Sequence, residues 1–114
     1  ALNRAPKDPL IMAAYGRALV ALGGKGRLQK AVPLLERSTA RDWRNSQALR
    51  DLGAAYAKLG NRGMAALVTA EAHAMHGRTK DARVLAKRAV DMLPRGSVGW
   101  QRAQDVLNAV KQNE

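Results

Sequence analysis

The two histidines of this 114-residue chain, His73 and His76, stand three apart. On a helix that spacing puts both on one face, near enough to share a metal ion. Glu71, the nearest further donor in sequence, projects to another side, and the chain has neither Cys nor an H-E-x-x-H segment. Packing in a core or groove is therefore the stronger reading of both, and no metal is expected. Gly23-Gly24-Lys25-Gly26 lacks the preceding strand and the following Lys-Ser/Thr of a phosphate-binding loop, so it reads as a turn between helices. Ser38, Ser46 and Ser97 have no His–Asp partners at suggestive spacing, and Ser46 and Ser97 stand where helix caps belong. No carboxylate pair suits acid–base work. The chain by itself is expected to be no enzyme and to hold no cofactor, which leaves its surface to carry function.

That surface is cationic. Lys and Arg number 20 against 9 Asp and Glu, a formal charge of +11. The excess permits nucleic acid, anionic lipid or acidic protein as partner without choosing among them. The basic residues are spread along the whole chain with no run of five or six, so a solvated cationic exterior accounts for most of them. No apolar run approaches the ~20 residues of a membrane span.

The elements that must position these groups are helices. Apolar residues make up 46% of the chain, Ala is common, Phe is absent, and no period-two alternation is sustained. The fold class read from this is all-α, a single domain with a modest core. Six helices are expected: Pro9–Leu22, capped by Asp8; Leu28–Arg41, with Pro33 near its first turn; Ser46–Leu59, capped by Asn45 or Ser46 and ended by Gly60; Arg62–His76; Lys80–Leu93, capped by Thr79 and stopped by Pro94; and Val98–Lys111, capped by Ser97. Short connections fold successive helices antiparallel.

The best-formed stretch is Ser46–Gly60, in which Leu49, Leu52, Gly53 and Tyr56 recur at helical spacing. Met12, Tyr15, Gly16 and Leu19 repeat the pattern 37 residues earlier, counted from Gly16 to Gly53. Ala82, Ala86, Ala89 and Pro94 give a third signal. Gly53 has no Cβ and lets a partner helix approach closely, with Ala65 and Ala72 expected to receive it. Residues 63–76 read both as the second helix of one unit and the first of the next.

L-x-x-L-G-x-x-Y from Leu49 to Tyr56, with Ala65 twelve residues after Gly53 and Ala82, Ala86, Ala89 and Pro94 further on, resembles the tetratricopeptide repeat, whose period is ~34 residues. The resemblance implies a right-handed α-solenoid of three helical hairpins: 9–45, 46–78 and an irregular terminal unit over 79–114. Residues 1–8 would be the end of a preceding repeat, so a longer array is expected upstream. The departures are extra residues around Gly23-Gly24-Lys25, Trp43 in place of the closing Pro, and Thr69 at a usually apolar position. Trp43 is expected to pack, and Trp100 to seal the end of the array.

In that family the first helix of each repeat lines a concave groove. Carried over by position, the groove holds Leu10, Ala13, Arg17 and Val20; Gln47, Arg50, Ala54 and Ala57; and Leu67 and Glu71. Ala13 and Arg17 stand where the carboxylate-clamping subclass has Lys and Asn, so that specificity is not carried over. Solvated charge accounts equally well for Arg17 and Arg50.

The second half carries a closer resemblance. A-L-R-D-L-G-A-A-Y-A-K-L-G-N, A-E-A-H-A-M-H-G-R-T-K-D-A-R-V-L-A-K-R-A and L-P-R-G-S-V-G-W-Q-R-A-Q-D-V-L occur in that order. Together they resemble the repeat region of bacterial zinc metalloproteases of the beta-barrel assembly-enhancing protease type, with Pro94–Trp100 the most specific part. The resemblance implies a periplasmic parent peptidase and a substrate- or partner-binding role here, for acidic, extended or misfolded protein segments. The parent's catalytic motif is absent from this chain, so no catalytic or zinc residue is transferred. Two other classes stay open, a free-standing scaffold for a secretion or pilus complex and nucleic-acid binding through the basic surface; without the protease resemblance the expected location is cytoplasmic. Self-association through exposed terminal repeats is compatible with all three.

Overall fold

Pro9 opens the first helix because its missing N–H is lost at no cost in a first turn, and the Asp8 carboxylate accepts from Leu10 N at 2.8 Å. That helix, α1 (Pro9–Leu22), begins the computed structural model, which describes residues 8–112; of the stretch 1–8 expected to end a preceding repeat, Asp8 instead caps α1 and the rest lies outside the described residues. Five more helices follow: α2 (Lys25–Arg41), α3 (Ser46–Lys58), α4 (Arg62–Met75), α5 (Thr79–Met92) and α6 (Val98–Gln112). The described residues contain no strand, and the all-α class expected from the composition is what the chain adopts.

Local chemistry explains most boundaries. Asn45 and Asn61 cap α3 and α4, accepting from Ala48 N at 3.0 Å and Met64 N at 3.1 Å. Ser97 accepts from Trp100 N at 3.2 Å in the first turn of α6. Gly60 takes a φ of 81°, the left-handed conformation that ends α3 and that a side chain would strain.

Beyond helix ends that move by one residue, α2 and α5 depart from expectation. α2 starts at Lys25, because the extra residues after Gly24 wind into an added helical turn. Pro33 is consequently interior to α2, where it removes one i→i−4 hydrogen bond. Thr79 does not cap α5: it is the first helical residue, and its hydroxyl donates back to the Gly77 carbonyl at 3.4 Å.

Each helix packs on its chain neighbours, giving an elongated body of 47 × 25 × 23 Å. Beyond neighbours, α1 packs on α3 and α4 on α6, whereas among the described residues α3 does not reach α5, nor α2 α4. The core divides accordingly. Leu28, Leu35, Leu52 and Tyr56 centre one cluster over α1–α4, while over α4–α6 Ala82, Ala86 and Val106 build a second and Ala89 and Ala103 a third. α4 serves all three: Val68 enters the first, Ala70 the second, Ala66 and Leu67 the third.

Close approach is set by glycines, though not by the one expected. A Cβ on Gly16 would stand 2.6 Å from Leu35 Cγ, and one on Gly99 would stand 2.7 Å from Met64 Sδ. Gly16 thus sets the α1–α2 distance and Gly99 the α4–α6 distance. A Cβ on Gly53 would meet only Thr69 Oγ1, at an ordinary 3.5 Å. The side chain facing Gly53 is therefore Thr69, whose hydroxyl is turned onto the Ala65 carbonyl at 2.8 Å, rather than Ala65 or Ala72.

Candidate functional site

The structure has two concave faces, which share α3. The first runs between α1 and α3. Alanines at helical spacing on α1, Ala14, Ala18 and Ala21, form its floor with Ala13 and with Ala48 of α3, and Leu10 stands at one end. The groove encloses about 540 Å³ and is shallow. Its charges are Arg17 and Asp51, one of each sign. Gln47 is fixed in place, its amide donating to Asp51 Oδ1 at 3.0 Å and its carbonyl accepting from Arg50 at 3.0 Å.

Four residues proposed from the sequence, Leu10, Ala13, Arg17 and Gln47, come together on this groove. Arg50 is exposed beside it, held by Gln47. Ala57 is exposed and Ala54 half-buried further along α3. Val20 and Leu67 are buried in the core and offer no surface to a partner. Glu71 faces away from α1 and belongs to the second concavity.

That second concavity is a cleft of about 370 Å³ beside α2, α4 and α6. Its polar edge is one arginine on two carboxylates. Arg102 of α6 donates to both oxygens of Glu71 on α4, at 2.6 and 3.2 Å, and to Glu36 Oε2 on α2 at 2.9 Å. The three side chains are between 25% and 29% exposed. Such a two-pronged guanidinium–carboxylate pair is the strong form of this interaction. Burial works against the charge of Arg102, but the hydrogen bonds and charge of Glu71, and then those of Glu36, outweigh it and raise its pKa above the ordinary guanidinium value. Glu36 Oε1 is enclosed and has no hydrogen-bond partner.

Apolar residues make the other walls: Trp43, Leu49, Met75 and Ala40. Trp43 was expected to pack, yet it is 60% exposed, with the Arg44 guanidinium 5.1 Å from its ring centroid. Tyr56, buried on α3, senses the same charges: burial, and next the negative charge of Glu36, push its pKa up to about 12, against the opposing pull of Arg102.

The chain matches no protein-family model, no curated protein and no solved structure. What it does must be argued from its own geometry.

The remaining candidates are quickly placed. His73 is half-buried and His76 exposed at the end of α4, and no three His, Cys, Asp or Glu groups gather to hold a metal among the described residues. Ser38 is buried and donates to the Pro9 carbonyl at 2.7 Å, tying α2 to the start of α1. Trp100 is half-buried in the first turn of α6. No described helix is long and apolar enough to cross a membrane.

Sequence reasoning missed Arg102 and Glu36. A faint signal was present: Glu36 and Glu71 lie 35 residues apart and Arg102 follows 31 later, so charges recur at the separation of alternate helices.

Proposed function

We propose that this chain is a protein-binding module, a tetratricopeptide-like α-solenoid whose α1–α3 groove takes an apolar, unfolded segment of another polypeptide. The observation that carries the reading is the convergence of Leu10, Ala13, Arg17 and Gln47 on one alanine-floored groove. Small side chains leave room for a partner's larger ones, and the near balance of Arg17 against Asp51 suits a segment of low charge. Acidic residues in the client would find Arg17 and Arg50 at the groove's edge.

The periplasmic protease context is part of the proposal and rests on Pro94–Trp100. Within that segment Ser97 caps α6 and Gly99 lies against Met64. The binding role would then be to hold misfolded envelope proteins for a peptidase domain elsewhere in the parent, with no cofactor held by this chain.

The test is a titration with a reduced, carboxymethylated protein that cannot refold, followed by amide NMR. Shifts clustered on α1 and α3 support the groove; shifts absent or confined to α5 and α6 overturn it. A parallel titration with random-sequence DNA at ~50 mM salt tests the charge alone, and tighter, steeply salt-dependent binding there would favour nucleic acid instead.

A further inference from the structure

We propose that α1 is a self-association surface: two copies of this chain pair through their exposed α1 faces, antiparallel about a two-fold axis. Eight large apolar side chains are exposed among the described residues, and four of them, Leu10, Ile11, Tyr15 and Leu22, stand on this one helix, between 53% and 68% exposed. Ile11, Tyr15 and Leu22 enter none of the core clusters and do not line the α1–α3 groove. The helix buries its other face, at Met12, Gly16 and Val20, and leaves this one uncovered.

The spacing says what fits. Ile11, Tyr15, Ala18 and Leu22 are separated by four, three and four residues, the seam of a coiled coil. Such a seam is met by another helix with a seam, and among the described residues α1 carries the one stripe of exposed large apolar side chains at that spacing. A second α1 is therefore the matching partner, and the contact is the same patch on both copies. Side-chain sizes choose the direction. In an antiparallel pair centred between Tyr15 and Ala18, Ile11 of one copy meets Leu22 of the other, and Tyr15 meets Ala18, a large side chain over a small one. Parallel pairing sets Tyr15 on Tyr15 and Ala18 on Ala18, a clash beside a gap.

Charge and area permit the contact. Arg17 is the single charged residue of α1 and lies outside the seam, so two chains of formal charge +11 meet on their least charged helix. At these exposures the four large side chains present roughly 100 Å² apiece. With the exposed Ala14, Ala18 and Ala21 the face reaches on the order of 550 Å², or ~1,100 Å² over both copies, just past the ~1,000 Å² that a biological interface needs. A dimer of that size dissociates on dilution, so concentration is the variable to scan.

The test is sedimentation equilibrium of the full chain from ~5 to ~500 µM, over which the average mass should rise from one chain toward two. Tyr15→Lys and, separately, Leu22→Lys should each weaken association at least tenfold with unchanged far-UV circular dichroism, since neither side chain supports the core. The chain has no Cys, so Ile11→Cys and Leu22→Cys each introduce a single thiol. Mixed under mild oxidation, these two variants should cross-link to each other in at least fivefold excess over either with itself. A monomer at every concentration, association undiminished in both lysine variants, or self-cross-linked pairs in excess would each overturn the proposal. The lysine variants leave the groove lining untouched, so the unfolded-protein titration succeeds or fails independently.

Discussion

Gly16 and Gly53 occupy matching positions in the sequence pattern, yet they should respond to alanine with opposite signs. A Cβ on Gly16 would lie 2.6 Å from Leu35 Cγ and 2.8 Å from Leu35 Cδ2. Ordinary carbon–carbon contact is ~3.5–4.0 Å, so about 1 Å must be found. Leu35 is fully buried, and the clash is at its branch point rather than a mobile tip, so the helices themselves must move. Overpacking of this kind costs about 1–3 kcal/mol, offset by up to ~1 kcal/mol of improved helix propensity. Gly16→Ala should therefore destabilise by about 0.5–2 kcal/mol. A Cβ on Gly53 has 3.5 Å to Thr69 Oγ1, so Gly53→Ala keeps the propensity gain and should stabilise by about 0.5–1 kcal/mol. Urea denaturation followed at 222 nm measures both. Equal shifts of the two variants, or a Gly16→Ala protein as stable as the parent, would refute the reasoning.

Three further outcomes follow from the charged cluster and the caps. Arg102→Met removes the guanidinium that two facing carboxylates share; a fully buried pair would lose ~3–5 kcal/mol, and a quarter-exposed one should lose about 1–2 kcal/mol at pH 7. Urea midpoints check this, and an Arg102→Met protein as stable as the parent would count against the charge account. The Tyr56 phenol is raised from 10.0 to about 12, so its neutral form is favoured by folding. That contribution is complete below pH 10, is lost as pH rises through about 12, and should appear in a Tyr15→Phe background as late ionisation at 295 nm coupled to falling stability. Asn45→Ala removes the acceptor for Ala48 N and should cost ~1 kcal/mol, read as a lowered melting temperature with unchanged helical content.

Helices were legible wherever one residue decides a boundary. Asp8-Pro9, Asn45, Gly60 and Pro94 each act within a turn of themselves, and α1, α3 and α4 lie where those signals put them, to within a residue. Where two local signals compete, the reading failed. Gly24 opens α2 earlier than the apolar pattern at Leu28 suggested, which carried Pro33 into the interior. Arg78 precedes α5, leaving Thr79 inside it. The α1–α3 groove was partly legible, because residues one or two turns apart on one helix share a face. Val20 and Leu67 were placed on it because helical spacing alone does not say which side a neighbour covers. The cleft was not legible, since it depends on Glu36, Glu71 and Arg102 meeting from three helices, across separations of 31 and 66 residues.

The central claim is that α1 and α3 bind an unfolded segment of protein through an alanine-floored groove. Ala18→Arg tests it most directly, because Ala18 is exposed in that groove and a long side chain there fills it without entering the core. Binding of a reduced, carboxymethylated protein, measured by calorimetry, should weaken at least tenfold while the melting temperature stays within ~2 °C. An unchanged affinity in a folded Ala18→Arg protein would contradict the account.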